Sequence, residues 1–376
     1  MHRLFHAGIA LLVLFEAANV YFIMPLPGSQ RMQSIDVAYF LFSWRWAFRV
    51  VFGAMFVAGA LAAFGVHARR KVWPSIAVAV AGFMIYGFNF KMAADRMFLE
   101  PASVRMQPAD RNAVEPGRLV VGIDIDGDAR AYPLQFIGYH HQVRDTAGGR
   151  AVMVSYCTVC RTGRVFSPVV DGKVETFRLV GMDHFNAMFE DRTTRSWWRQ
   201  ATGRAITGPM KGKVLTEIPS VQVTLAQWLA LHPTSLIMQP DSTMLHRYPT
   251  TYAYETGESR STLTGTDTAS WNDKSWVVGI TLNGESVAYA WNRLRKERAV
   301  NDIVGGTPLV VVMSADGKNF FAFERPHSAT RFAARGDSLV AKGQAHALGR
   351  STLPTVPASQ EFWRSWRTFH PGTKKY

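Results

Sequence analysis

A chain of 376 residues has room for two or three domains, and its 48% hydrophobic content excludes a disordered protein. Lysine and arginine number 42 against 28 acidic residues, giving a net charge of +14. No lysine run or aromatic-interleaved basic stripe accompanies that charge, which argues against nucleic acid as a partner. The only cysteines, Cys157 and Cys160, exclude a disulfide-rich scaffold and any cluster needing four cysteines from one chain.

The first 95 residues read as a membrane segment. Residues 4–24 are mostly apolar, 47–66 follow if Arg49 snorkels to the interface, and 72–90 form an uncharged run. A span needs about 20 residues, so the expectation is three transmembrane helices in contact with the lipid bilayer. A cleaved signal peptide is the alternative for the first. Glu16 interrupts its apolar stretch, no clear Ala-x-Ala site follows and further spans come after, all against cleavage. The dense basic loop Ala68-Arg69-Arg70-Lys71 should be cytoplasmic, which puts the N-terminus inside and residues 91–376 outside. Arg31, Arg45 and Arg49 run against that assignment. Glu16 and Asn19, three apart, share a helix face and are either a functional intramembrane pair or polar glue between spans.

Beyond residue 95 the chain reads as a β-rich α+β exported domain made of two tandem related units. Val120-Val121-Gly122-Ile123 recurs as Val277-Val278-Gly279-Ile280. At the same offset Ala131-Tyr132 meets Ala288-Tyr289, Val143-x-Asp145 meets Val300-x-Asp302, and Gly148-Gly149 meets Gly305-Gly306. Further on, Trp228 and His232-Pro233 recur as Trp366 and His370-Pro371. The expected limits are 96–240 for the first unit, 241–276 for a Ser/Thr/Gly-rich connection and 277–376 for the second. Each unit should contain an opening strand pair, an apolar strand after Gly-Gly, and a closing helix, Leu225–His232 or Gln360–His370, stopped by His-Pro. Asp124, Asp126 and Asp128 read as turn chemistry in preference to a calcium loop.

A residue kept in both units serves the shared fold, and one confined to the first is a candidate for chemistry. His140, His141, Cys157 and Cys160 align with Glu297, Arg298, Ser314 and Gly317. Cys157-Thr158-Val159-Cys160 follows an apolar strand and precedes a glycine and β-formers. That layout lacks the helix of a thioredoxin site and resembles one knuckle of a zinc ribbon. With His140, and His141 or His184 completing the set, the two thiolates would suit Zn or Cu. Alternatively Cys157 is an attacking thiolate favoured by Arg161, with Cys160 resolving. A third possibility is an inert bridge, whose loop is too short to stabilise much. A non-catalytic binding module is the further alternative. Trp197, Trp198, Trp228, Trp271, Trp276 and Trp291 would line a groove, with Trp197-Trp198 as a surface patch, while the spans dock a membrane-protein partner.

Ala131-Tyr132-Pro133, His140-His141, Val143-Arg144-Asp145, Gly148-Gly149 and Cys157-Thr158-Val159-Cys160 follow one another in the order of a known pattern. Asp191-Arg192-x-Thr194-x-Ser196-x-Trp198-x-Gln200 and Gly203-x-Ala205-Ile206-x-Gly208-Pro209 continue it. Over about residues 110–376 the chain thereby resembles the bacterial family catalogued as domain of unknown function 3179. His141 stands where that family has Glu, Thr158 where it has Pro, and Arg161 where it has Gly. The resemblance implies an architecture and no reaction; the spans and the basic loop give the expectation of a bacterial inner-membrane protein with residues 91–376 in the periplasm.

Overall fold

The computed structural model describes residues 2–65, 71–348 and 351–376. They form two compact units, one of Met1–Leu99, Phe177–Arg199 and Ala205–Lys213, the other of Glu100–Thr176, Gln200–Arg204 and Val214–Tyr376. Of the basic loop expected to set the orientation, residues 68–70 lie outside the described residues.

Three helices of the first unit are long and apolar enough to cross a membrane: His2–Tyr21, Arg45–Ala63 and Val72–Lys91. The first two touch closely. A Cβ on Gly8 would lie 2.5 Å from the Phe56 nitrogen, and one on Gly59 would lie 2.2 Å from that of Phe5. Small residues of this kind let helix backbones approach closely. Arg49 does not snorkel outward, as the sequence suggested. Its Nε donates to Glu16 Oε1 at 2.6 Å and its Nη2 to Asn89 Oδ1 at 2.6 Å, while Asn89 Nδ2 donates to Glu16 Oε2 at 3.1 Å. An apolar surrounding makes a lone charge costly, so the cation and carboxylate turn toward each other and join all three helices. Glu16 therefore pairs across helices and not with Asn19, whose Oδ1 has no hydrogen-bond partner among the described residues.

The same unit contains a four-stranded antiparallel sheet in the order Ala205–Thr207, Trp197–Arg199, Asn186–Asp191, Phe177–Asp183. Ala38, Val180, Met188, Trp197 and Ile206 form its core, with Phe22, Ile23, Ile35, Tyr39 and Phe42 packed against them. The chain leaving the first helix is tied to the sheet by Met182 N, which donates to the Ile23 carbonyl at 2.7 Å.

The second unit is β-rich and contains several sheets. One runs Met106–Gln107, Leu236–Met238, Asp128–Pro133, Leu119–Ile125, Val221–Thr224; another runs Ser359–Phe362, Trp276–Leu282, Glu285–Ala290, Lys374–Lys375. In both, an antiparallel hairpin lies between an antiparallel strand on one side and a parallel strand on the other. The glycine of each Val-Val-Gly-Ile segment makes room for the tryptophan of a closing helix. A Cβ on Gly122 would fall 2.4 Å from Trp228 Cε3, and one on Gly279 would fall 2.2 Å from Trp366 Cε3. Tyr132 Oη donates to Asp145 at 2.8 Å and Tyr289 Oη to Asp302 at 2.9 Å. His232 and His370 stack on Trp228 and Trp366 with ring centroids 4.1 and 3.7 Å apart.

Two three-stranded sheets complete the pattern, Gln142–Ala147 with Arg150–Cys157 and Thr162–Phe166, and Ala299–Val304 with Thr307–Met313 and Phe320–Glu324. One apolar cluster takes in Val120, Tyr132, Val154 and Trp228 along with Val310, Val312 and Phe323. The helix expected from Gln360 begins at Trp363, because Ser359–Phe362 pairs as a strand with Trp276–Gly279. Residues 241–276 contribute buried side chains. Tyr248 and Glu255 are buried there, and Glu255 accepts from Arg118 Nη1 at 2.8 Å. Asp124 and Asp128 serve the hairpin turns, accepting from Gly127 N and Gly148 N.

Candidate functional site

The two cysteines face each other across the end of a hairpin. Arg150–Cys157 and Thr162–Phe166 are antiparallel, with Cys157 opposite Thr162, and residues 158–161 turn between them. A hairpin end brings Cys157 and Cys160 to a Cα separation of 5.5 Å, and they are joined as a disulfide. The bridge is enclosed, with Cys157 at 0% and Cys160 at 2% exposure. No helix follows the motif, so a dipole-lowered thiol of the thioredoxin kind is not built here.

Two tyrosines and one arginine hold the turn. Tyr254 Oη donates to the Thr158 carbonyl at 3.0 Å and lies 3.1 Å from Tyr156 Oη. Burial raises both phenols, so they remain protonated donors. Phe362 N donates to the Cys160 carbonyl at 2.9 Å. Arg161 adopts the left-handed backbone region, with φ at 58°. Its guanidinium is fully buried and donates to the carbonyls of Tyr254 at 2.8 Å and Glu255 at 2.9 Å and to Gln360 Oε1 at 3.1 Å. It also lies 3.6 Å from the Trp276 ring centroid. The sequence suggested that Arg161 favours a thiolate; its charge is instead committed to these acceptors.

The histidines near the motif do not assemble a metal centre. Strand Gln142–Ala147 does lie beside Arg150–Cys157, and the short helix Leu134–His140 precedes it. His140 Nε2 is 2.7 Å from Tyr248 Oη. His141 caps that helix in the left-handed region, its Nδ1 3.0 Å from the Tyr139 carbonyl, and burial pushes its imidazole down to about 4. His184 belongs to the other unit, where its Nδ1 is 2.6 Å from Asp183 Oδ1 and Arg199 Nε donates to Asp183 Oδ2 at 2.8 Å. Burial opposes ionisation of Asp183, but these partners outweigh it and hold the carboxyl below its usual range. A zinc or copper site needs free thiolates, and an oxidised pair has none. Among the described residues no group of three or more His, Cys, Asp or Glu could hold a metal ion.

Trp197 and Trp198 are not a surface patch. Both are at most 1% exposed. Their indoles donate to Glu190 Oε2 at 3.1 Å and Asp191 Oδ2 at 2.8 Å on the neighbouring strand, which satisfies the one polar atom of each ring. Trp228 is core, Trp271 packs edge-on against Trp363, and Trp276 and Trp291 line a cavity. Tyr156, Tyr254 and Gln360 belong to the cysteine site although nothing in the motif marks them. The only hint was the density of tyrosine in 248–254.

A family model described as protein of unknown function (DUF3179) matches residues 99–373. No curated protein and no solved structure matches the chain.

Proposed function

The chain belongs to the DUF3179 family, and from the geometry of its cysteine turn we propose that it exchanges disulfides with partner thiols through Cys157 and Cys160. In this reading it is a membrane-anchored inner-membrane protein with its N-terminus inside. Residues 91–376 face the periplasm, an oxidising compartment in which a disulfide persists. The exported part is two tandem related units, a reading supported by the twin contacts of Gly122 with Trp228 and Gly279 with Trp366.

One observation carries the proposal. The hairpin turn aligned with the cysteine turn is closed without a bridge. Gly317 N donates to the Ser314 carbonyl at 3.0 Å and Asn319 N to Ser314 Oγ at 2.9 Å. The hairpin thus needs no disulfide to form. A bridge closing four residues stabilises by only about 2 kcal/mol, against nearly 5 for a loop of about 100. A covalent bond that the fold does not require, present in one unit alone, is better explained by reactivity.

In the exchange a partner thiolate attacks one sulfur, forms a mixed disulfide and releases the other cysteine as a thiolate. The partner's second thiol then attacks the partner sulfur of that mixed disulfide and displaces the remaining cysteine of this chain as a thiolate. Two electrons and two protons pass from the partner dithiol to Cys157 and Cys160, and the partner leaves oxidised. Because the bridge is enclosed, the 157–160 turn has to open first, which restricts exchange to partners that engage it. The test is trapping. Cys157→Ser and Cys160→Ser chains, expressed in the membrane and quenched with acid and alkylating agent, should each be examined for mixed disulfides. A discrete adduct with one variant supports exchange, and only unmodified free thiol in both would overturn it.

A further inference from the structure

A second site lies within the β-rich unit and shares Arg161 and Gln360 with the surroundings of the cysteine turn. A cavity of about 430 Å³ is lined by Tyr252, Trp276 and Trp291 and by the cationic residues Arg161, Arg295 and Lys318. That volume is in the range of small-molecule sites, which are apolar-walled with a few placed polar groups. Trp276 and Trp291 meet edge to face at 5.4 Å, and the indole nitrogen of Trp276 is already bonded to Thr266 Oγ1 at 2.9 Å. The walls are therefore aromatic surface with no unsatisfied polar demand from that ring.

The charges on the lining are unequally committed. Glu255 is neutralised by Arg118 and by Leu119 N, and Arg161 is held by three acceptors. Asp316 accepts from Ser314 Oγ and from Lys318 N. Arg295 and Lys318 are exposed and form no ion pair among the described residues. Two uncommitted cations beside an aromatic cavity match a ligand with a flat apolar body and one acidic group. We propose that this cavity binds a small organic anion, with its ring against Tyr252, Trp276 and Trp291 and its acid group on Arg295 and Lys318. The inference does not depend on the disulfide exchanging.

Full-length protein in lipid nanodiscs, titrated calorimetrically with 2-naphthoate and with neutral 2-naphthamide against empty nanodiscs, tests it. The expected result is saturable one-to-one binding of the carboxylate, about tenfold or more tighter than the amide. Charge reversal at the two exposed positions, Arg295→Glu with Lys318→Glu, should remove that preference. The proposal is overturned if naphthoate shows no saturable binding, if acid and amide bind alike, or if the reversed variant keeps the preference.

Discussion

Substituting Gly122 by alanine probes the packing that both halves of the β-rich unit share. The added methyl would meet three ring atoms of Trp228 at 2.4, 2.5 and 2.7 Å. Ordinary carbon contacts are about 3.5–4.0 Å, so the ring must withdraw by roughly an ångström. Its present position is held on several sides. Trp228 is 2% exposed, its Nε1 donates to Ser235 Oγ at 2.7 Å and its ring stacks on His232. Overpacking costs about 1–3 kcal/mol, and a displaced indole hydrogen bond adds about 1. The sum, roughly 2–4 kcal/mol, should lower the melting temperature by about 4–12 °C, measured by tryptophan fluorescence on detergent-solubilised protein. In an open strand the same change would stabilise by about 0.5–1 kcal/mol, so the sign alone discriminates. In a Trp228→Leu background the penalty should largely vanish, since sites in contact are coupled. Gly279→Ala should repeat the loss against Trp366. A Gly122→Ala protein that melts with the wild type, or a penalty undiminished by Trp228→Leu, would refute the packing argument.

Two further expectations concern buried charge. His141 titrates near 4 in the fold and near 6.5 when unfolded, so its stability contribution is intact above about 6.5 and is lost as pH falls toward 4. The loss reaches about 3 kcal/mol, and His141→Gln should flatten that part of the pH profile in denaturant titrations; identical profiles would exclude His141 as the cause. Glu16→Gln leaves the Arg49 cation without its carboxylate between helices, at a cost of roughly 3–5 kcal/mol. The double change Glu16→Gln with Arg49→Gln should recover much of it, read as monodispersity and melting in detergent, and no recovery would mean the two charges are not coupled.

What the sequence displayed and what it concealed divide along the range of the interactions. Local signals were legible. Val-Val-Gly-Ile before an Asp-Gly or Asn-Gly pair announced hairpins, and both are present. The three apolar stretches became three helices within a few residues of their expected ends. Tertiary pairing was not legible. Trp197 and Trp198 looked like an exposed pair flanked by arginines, because their acceptors Glu190 and Asp191 come from the adjoining strand. Arg49 looked like an interfacial anchor, since its carboxylate lies 33 residues away in the sequence. His140 looked like a metal ligand until Tyr248, 108 residues on, occupied its Nε2. Residues 177–213, which continue the first exported unit in sequence, largely join the unit of the apolar helices, because Val180, Met188 and Trp197 pack with Ala38 and Tyr39. Alternation within a strand says which face is apolar and not which partner covers it.

The central claim is that the Cys157–Cys160 bond is reactive and not a staple, and its reduction potential tests that most directly. Full-length protein equilibrated in graded thiol redox buffers, quenched and alkylated, gives the reduced fraction by mass. Exchange predicts a midpoint within roughly −270 to −120 mV, the span of known dithiol exchangers. A bond that remains oxidised below about −300 mV would contradict the account and mark the bridge as structural.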